Sequence, residues 1–342
     1  MLINLVHRNN FIYFTFSNIY RAYTRYMRNL QVIFLLLFIS LSAFGQQDPQ
    51  FSQNMFTQLS YNPAYTGSHG KICATALHRQ QWYGFEGAPE ISVFNFDAAI
   101  NPFGISSGIG LSIIQDKVGF NNNLGVNLSL AYRFEVWDGN LAFGVNGGII
   151  NYSLEPDWKI PGGTEIHSAV SEDPAIPTEV KDEMALDLSF GIYYNTDELY
   201  IGISSTHLNE PTFNPTEGNI KPKIGRNYYL MSGYRIPISE TKFALNPSLL
   251  VQSDGSTSQI GFNTHVSYNN NFWGGVSIRT DKTVTGMIGA RLFDWVRVGY
   301  SYDLTVSEIS QYNQGSHEIM VGFCFDAKTD KSPKKYKSIR FL

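Results

Sequence analysis

The chain has 342 residues and a formal net charge of −4 at pH 7, with 14% aromatic and 16% charged residues. This acidic balance argues against a nucleic-acid partner, because contact with phosphate backbones needs clustered Lys and Arg. Beyond residue 45 no apolar stretch reaches about 18 residues, so the sequence excludes helical membrane spans.

The N-terminus has the features of an export signal. An apolar run over residues 32–44 follows Arg28 and ends in the small-x-small sequence Ala43-Phe44-Gly45. This pattern predicts a signal peptide over residues 1–45. A signal anchor is the alternative, but the run is short for a spanning helix and no stop-transfer pattern follows it.

The start of the chain is itself in question. Met27 heads a conventional signal peptide, so residues 1–26 are interpreted as a misassigned extension. Cleavage would leave a mature chain that begins at Gln46 or Gln47. Removing residues 1–45 takes away four of the 25 basic residues and none of the 29 acidic ones, which gives the mature chain a net charge of −8.

Residues 46–70 differ from everything that follows them. Their spacing of Phe51, Met55 and Leu59 is weakly helical and runs into Asn62-Pro63-Ala64. The proline pushes Asn62 out of the helical region and fixes a turn. We predict that this segment is a short plug around which strands wrap.

Residues 71–325 read as fourteen strands joined by turns and loops. Most strands are long enough for a tilted strand to cross a membrane, about twice the usual globular length. The predicted strands cover residues 71–82, 89–100, 106–116, 122–136, 139–154, 184–195, 198–207, 226–238, 241–253, 257–269, 271–280, 283–293, 294–305 and 315–325.

Alternation of apolar and polar residues gives each strand two faces. In the fourth strand Leu128 and Leu130 share one face, while Asn127 and Ser129 share the other. Alternation alone cannot separate a soluble sandwich from a membrane barrel, but strand length, the export signal and outward aromatic residues favour an antiparallel transmembrane β-barrel. The same parity places these charged or ionisable residues on the polar face: Asp97, Asp116, Arg235, His265, Arg279, Arg291, Arg297, Asp303 and Glu318.

Connection lengths support this architecture. The long connections, over residues 155–183, 208–225 and 306–314, all follow odd-numbered strands, and the even-numbered connections are brief. Outer-membrane barrels have short periplasmic turns and longer external loops. We therefore predict an outer-membrane, multi-pass barrel with an external long-loop side. The basic tail over residues 326–342 would lie in the periplasm, either solvated or in contact with a partner or anionic head groups.

No motif for catalysis, phosphate binding or metal ligation is present. A rim hydrolase would need a Ser and a His in contact, and the residues considered lie on scattered strands and loops: Ser68, His69, His207, His265 and His317. We predict no catalytic, cofactor or metal residues. The charges on the polar faces could form a selectivity ring or an ion-pair network that holds the plug, and their mixed signs favour the network.

Cys73 and Cys324 are the only cysteines. Closure of the barrel would pair the first strand with the fourteenth, and both residues lie near the periplasmic ends of those strands with inward parity. The export compartment is oxidising. A disulfide across the seam is therefore a hypothesis, with two buried free thiols as its alternative.

A set of short motifs resembles the PorP/SprF family of the type IX secretion system, outer-membrane proteins of Bacteroidota. The motifs, in order along the mature chain, are Phe51-Ser52-Gln53-x-Met55, Asn62-Pro63-Ala64-Tyr65-x-Gly67, Arg79-x-Gln81-Trp82, Gly87-Ala88-Pro89, Asp116-x-Val118-Gly119 and Ser316-His317-Glu318-Ile319. The Asn-Pro-Ala element also resembles the N-terminal hatch of FadL-like fourteen-stranded channels, which supports the plug.

The resemblance implies a non-enzymatic role in secreting proteins or anchoring them, including gliding adhesins, at the cell surface. The implied partners are membrane lipid, C-terminal domains of secreted proteins at the external loops, and periplasmic components of the secretion system. A FadL-like channel for a hydrophobic or small polar solute is the alternative. Structural roles are expected for the motif residues: Arg79, Trp82 and Pro89 at the first hairpin, Asn62, Pro63 and Ala64 in the plug turn, and His317 and Glu318 at the closing strand.

Overall fold

The structure, a computed structural model, describes residues 48–155, 180–213, 221–293 and 295–326. It is a closed antiparallel barrel of fourteen strands, as predicted. We number the strands β1 Ile72–Gln80, β2 Glu90–Ile100, β3 Ser107–Val118, β4 Asn121–Val136, β5 Gly139–Leu154, β6 Lys181–Asn195, β7 Leu199–Thr206, β8 Asn227–Tyr234 with its continuation Ile236–Pro237, β9 Phe243–Ser253, β10 Ser258–Tyr268, β11 Phe272–Arg279, β12 Thr283–Leu292, β13 Val296–Thr305 and β14 Ser316–Phe325.

Every strand pairs with its two neighbours, and β1 pairs with β14 to close the barrel. This closing register places Cys73 opposite Cys324 and Arg79 opposite Glu318. The tight turn between β10 and β11 has Asn269 and Asn270 at its centre, with φ values of 50° and 57°. Asn at both central positions is typical of the hairpin turn that matches strand twist.

The outward face is apolar and the inward face is polar. In β4 the outward Leu128 and Leu130 are 60% and 56% exposed, whereas the inward Asn127 and Ser129 are 8% and 1% exposed. An exposed apolar band over all strands is the signature of a barrel that faces lipid. Among the described residues, no helix is long and apolar enough to span a membrane.

The two mouths of the barrel differ. We call the end that carries the connections after odd-numbered strands the loop mouth, and the opposite end the turn mouth. The three longest connections, residues 155–180, 207–226 and 306–315, are all at the loop mouth. Residues 156–179 and 214–220 of these connections lie outside the described residues, as do the predicted signal peptide and all of the basic tail except Asp326.

Residues 48–70, which we call the luminal segment, lie inside the barrel. They form three short 3-10 helices, Asn54–Phe56, Gln58–Ser60 and Pro63–Tyr65, so Phe51, Met55 and Leu59, whose spacing is weakly helical, do not share one helix. The three helices contact different strands, since Asn54 accepts a hydrogen bond from Asn263 on β10 and Gln58 accepts one from Tyr193 on β6. Their apolar residues share one core with β1, β2, β5, β6, β8, β11 and β14, so the segment touches the wall on all sides.

The luminal segment runs from the loop mouth to the turn mouth. Asp48 contacts residues at the loop-mouth end of β7, and the chain enters β1 at Ile72, at the turn mouth. Asp48 is therefore at the mouth opposite to the one where β1 starts. The luminal segment thus spans the barrel and occupies its centre.

Candidate functional site

A buried ionic cluster joins the luminal segment to the wall near the loop mouth. Arg79 lies between two carboxylates, with Nη2 2.7 Å from Asp303 Oδ2 and Nη1 3.3 Å from Glu318 Oε2. Arg279 Nη2 is 3.0 Å from the same Asp303 oxygen. The four side chains are at most 8% exposed. The charges neutralise one another, which favours an ion-pair network over a selectivity ring.

The same cluster holds the backbone of the luminal segment. Glu318 accepts hydrogen bonds from the backbone N–H groups of Ser52 at 2.8 Å and Gln53 at 2.7 Å. The Ser52 hydroxyl donates to Asp303 at 2.7 Å and accepts from Arg79 at 2.8 Å. Charge-assisted hydrogen bonds of this kind are about twice as strong as neutral ones. The motif around Phe51-Ser52-Gln53 therefore meets Arg79 and Glu318 in one anchor, which we call the ionic anchor.

A second anchor holds Asp48, near the start of the luminal segment. His207 Nε2 is 2.9 Å from Asp48 Oδ1, and its Nδ1 is 2.8 Å from Asp187 Oδ1. Tyr229 and Thr206 donate their hydroxyl protons to the other oxygen of Asp48 at 2.6 and 2.9 Å. Burial lowers the pKa of His207, but the two carboxylates outweigh burial and raise the pKa to about 10. For Asp48, burial acts in the opposite direction and raises the pKa of the carboxyl. Its contact with His207 outweighs burial and holds this pKa below its usual value.

The raised pKa of His207 predicts a loss of stability in alkali. A raised pKa means that His207 stabilises the fold fully below its ordinary pKa of 6.5, and that this contribution disappears as the pH rises through about 10. We expect the free energy of unfolding in detergent to fall between pH 7 and pH 10.5. In the His207→Gln variant the fall over that interval should be smaller. Identical pH profiles would show that the pairing contributes nothing.

Asn62 forms a third anchor at the middle of the segment. Its Oδ1 accepts the N–H of Ala64 at 2.9 Å, which caps the turn at Pro63. Its Nδ2 donates to the carbonyls of Ile192 at 3.0 Å and Ile203 at 3.3 Å. Gly191 faces this amide, and a Cβ there would overlap the Asn62 side chain. The Asn-Pro-Ala motif is thus a turn that bonds to β6 and β7 from inside the barrel.

The end of the segment is held at the turn mouth. Gly67, with a φ of 67°, donates its N–H to Asp97 at 2.7 Å and accepts a bond of 2.5 Å from Arg133 Nη1. A Cβ on Gly67 would also collide with the backbone at Ala98. Both the positive φ and the close approach demand glycine here.

The other motif residues lie apart from these anchors. Trp82 has a φ of 50° and its N–H donates to Ser316 Oγ at 3.1 Å, while the carbonyl of Pro89 accepts from Gln81 at 2.9 Å. His317 contacts the Tyr300 hydroxyl at 2.8 Å. All three are at the loop-mouth rim beside β1, β2 and β14.

Sequence reasoning did not identify Asp48, Asp187 or Ser52 as site residues, although the polar parity of Asp303 and Arg279 was seen.

The structure joins Cys73 and Cys324 by a disulfide across the β1–β14 seam. The hypothesis itself remains to be tested on the protein. We expect non-reducing peptide mapping of protein from the outer membrane to recover the two cysteine peptides as one linked species. Recovery of only alkylated free thiols would reject the bond.

Among the described residues, one Ser–His pair is in contact. His78 Nδ1 is 3.0 Å from Ser92 Oγ, on the outward faces of β1 and β2. No carboxylate is bonded to His78 in the described part of the chain, so the pair lacks the third group that orients a catalytic base. Of the serines and histidines considered from sequence, His69 contacts the Tyr65 hydroxyl at 2.7 Å. Within the same residues no group of three or more His, Cys, Asp or Glu side chains could hold a metal ion.

Among the described residues, a cavity lies inside the barrel toward each mouth. The cavity toward the loop mouth has a volume of about 120 Å³ and lies beside Asp48, Asp116 and His207. The cavity toward the turn mouth has a volume of about 430 Å³ and lies beside His265 and Arg297. Leu59 of the luminal segment borders both cavities, so the segment stands between them.

Comparison with solved structures gives other β-barrels. The outer membrane protein Omp33 of Acinetobacter baumannii shares 6% identity at a TM-score of 0.45, over 75% of this chain and 99% of that chain. A deltaS2S3 mutant of the monoaromatic hydrocarbon channel TodX shares 10% identity at a TM-score of 0.42, over 83% and 96%. CdiB from Acinetobacter baumannii shares 8% at a TM-score of 0.41, over 75% and 60%.

No curated protein sequence matches the chain. A protein-family model does match, over residues 43–323, and it describes the type IX secretion system membrane protein PorP/SprF. This match covers the luminal segment and nearly the whole barrel. Together with the lipid-facing apolar band, it places the protein in the outer membrane. The chain belongs to the PorP/SprF family of type IX secretion system membrane proteins.

Proposed function

We propose that this barrel is a non-enzymatic component of type IX secretion that anchors a secreted protein at the cell surface or assists its export. The observation that carries the proposal is the anchored luminal segment, which occupies the centre of the barrel from one mouth to the other. A barrel closed in this way offers its loops and rims for binding rather than a wide pore. Long surface loops on a rigid scaffold are common sites of recognition.

The two mouths suit different partners. The loop mouth carries the longest connections, which we assign to the cell exterior and to the C-terminal domain of a secreted protein. The turn mouth carries the C-terminus of β14, beyond which the sequence is basic from Lys328 to Arg340. We assign this side to the periplasm and to other components of the secretion system. Both assignments extend the family's membership in a secretion system to particular partners.

A pull-down tests the proposal. The protein is isolated from its outer membrane in mild detergent, and co-purifying proteins are identified by mass spectrometry. The same is done with a variant in which a short Gly-Ser linker replaces residues 156–179. We expect a large secreted protein with the unmodified barrel and its loss with the loop variant, because the replaced residues belong to the longest loop-mouth connection.

A matched control replaces residues 254–257, a short connection at the same mouth. This control should retain the secreted protein. Recovery of periplasmic secretion components alone, in all samples, would favour a role in the machinery over anchoring. If neither class of protein is recovered from any sample, the proposal is wrong.

A second candidate function is a FadL-like channel for a hydrophobic or small polar solute. The loop-mouth cavity favours it, because apolar walls from Phe51, Ile114 and Ile150 surround the polar groups of Asp48 and His207. Ligand sites commonly combine apolar walls with a few polar groups. Extraction of the purified barrel with organic solvent, followed by mass spectrometry, should release a bound small molecule if this candidate is right.

A further inference from the structure

Two arginines face each other across neighbouring strands at the turn mouth. Arg291 on β12 is the direct register partner of Arg297 on β13. Both continue the inward row of their strands, which includes the buried Met287 and Ser301. Like charges directly opposite one another on a sheet destabilise it. An anion bound between the two side chains would therefore stabilise this part of the sheet.

The described residues provide no such charge. Neither Arg291 nor Arg297 has a carboxylate within 4.0 Å among them, in contrast to Arg79 and Arg279 in the ionic anchor. The guanidinium of Arg297 lies over the Phe56 ring, 4.8 Å from its centroid. This contact orients the cation but does not neutralise it.

Both arginines line the same pocket. It has a volume of about 170 Å³, and the residues that line it are His69, Lys71, Arg291, Trp295, Val296, Arg297, Gly322 and Cys324. Lys71 adds a third cation, which is 2.9 Å from Asp326; the Lys71 side chain is 44% exposed and the Asp326 side chain is 82% exposed. The pocket is thus a partly enclosed site with an excess of positive charge.

The surroundings of the pocket indicate the source of an anion. Trp295 lines it and stacks on Phe323 and Phe325, with ring centroids 6.1 and 5.5 Å away. Phe325 is 51% exposed and the nearby Phe293 is 78% exposed. Clusters of aromatic residues at a barrel rim mark the level of the lipid head groups. The cations and the membrane interface therefore meet at one rim.

We propose that this pocket binds a phosphate group, and that lipid head groups are its principal source. A phosphate has several acceptor oxygens and can engage both guanidinium groups at once, with the ammonium of Lys71 as a third contact. Its negative charge removes the repulsion between Arg291 and Arg297. The ligand would tie β12 and β13 to the membrane surface at the turn mouth.

Native mass spectrometry tests the site. The barrel is purified in uncharged detergent without phosphate and exposed to phosphatidylglycerol or, separately, to phosphatidylcholine. We expect one tightly held phospholipid on the unmodified protein. In the Arg291→Gln/Arg297→Gln variant, binding should be at least about tenfold weaker, the loss expected from one charge-assisted hydrogen bond.

A second arm uses inorganic phosphate and thermal unfolding, with chloride at equal ionic strength as the reference. Phosphate-specific stabilisation that requires both arginines, without a retained lipid, would assign the site to free phosphate. The charge-matched control is Arg235→Gln/Lys242→Gln at the same mouth, where Arg235 bonds to Asn270 at 2.8 Å. Equal lipid and phosphate binding by all three proteins, with folding verified by circular dichroism, would overturn the proposal.

Discussion

Replacement of Asp303 by alanine is expected to lower the free energy of unfolding by about 3–5 kcal/mol. Its carboxylate accepts from Arg79 at 2.7 Å and from Arg279 at 3.0 Å. Ser52 and Thr285 each donate to its second oxygen at 2.7 Å. Removing it leaves two buried guanidinium groups with too few acceptors, and a buried charge without its partner is costly. Guanidinium chloride unfolding in detergent, followed by tryptophan fluorescence, measures the change.

Asp281 provides the matched control, because it pairs with the same arginine at the surface. Its Oδ2 is 3.4 Å from Arg279 Nε, and its side chain is 36% exposed. We expect Asp281→Ala to cost no more than about 1 kcal/mol, as exposed ion pairs do. Asp303→Asn keeps the volume and removes only the charge, so it should fall between the two. If the Asp281 and Asp303 variants lose the same free energy of unfolding, the burial of the ionic anchor does not increase its contribution to stability.

The barrel could be predicted from sequence because its signal is repeated in every strand. Alternation over ten or more residues fixes which side chains face lipid, and fourteen such segments define an even strand count. Interruptions within a single strand were not predicted. The eighth segment was expected to be continuous over residues 226–238, but its ladder is interrupted at Arg235. The register with β9 is the same on both sides of this gap, with Ser248 opposite Gly233 and Ala244 opposite Pro237, so the alternation of side chains is unchanged.

The ionic anchor could be predicted only in part. Arg79 and Glu318 were singled out, yet they were assigned to the first hairpin and the closing strand. Their contact joins residues 239 positions apart, and it depends on the register in which β1 meets β14. Parity alone does not set that register. The partner on the luminal segment, Ser52, has no sequence signal beyond its place in a short motif.

The second anchor was not predicted at all. His207 was considered as a catalytic candidate, whereas its two nitrogens contact Asp48 and Asp187. Asp48 lies in a segment without strand alternation, so no pattern indicated where its side chain would point. The path of the luminal segment, from the loop mouth to the turn mouth, is a tertiary property. It follows from the anchors and not from local propensity.

Removal of the luminal segment is expected to open the barrel to ions. Deletion of residues 48–66 leaves all fourteen strands in place, while the space that Phe51, Leu59 and Tyr61 fill becomes water. In planar lipid bilayers we expect no steady conductance from the unmodified protein and discrete open channels from the deletion variant. Barrels somewhat wider than this one leave an aqueous channel when nothing fills them.

The deletion also removes partners of the ionic anchor, so a milder variant is needed. Asn62→Asp keeps the shape of the side chain but replaces the two N–H donors with an oxygen that faces the carbonyls of Ile192 and Ile203. This repulsion should loosen the turn and give brief channel openings in a folded barrel. Asn270→Asp, at an exposed turn, is the matched control and should stay closed. A silent Asn62→Asp variant together with a silent, correctly folded deletion would mean that the luminal segment does not close the lumen, and the loops at the mouths would then have to do so.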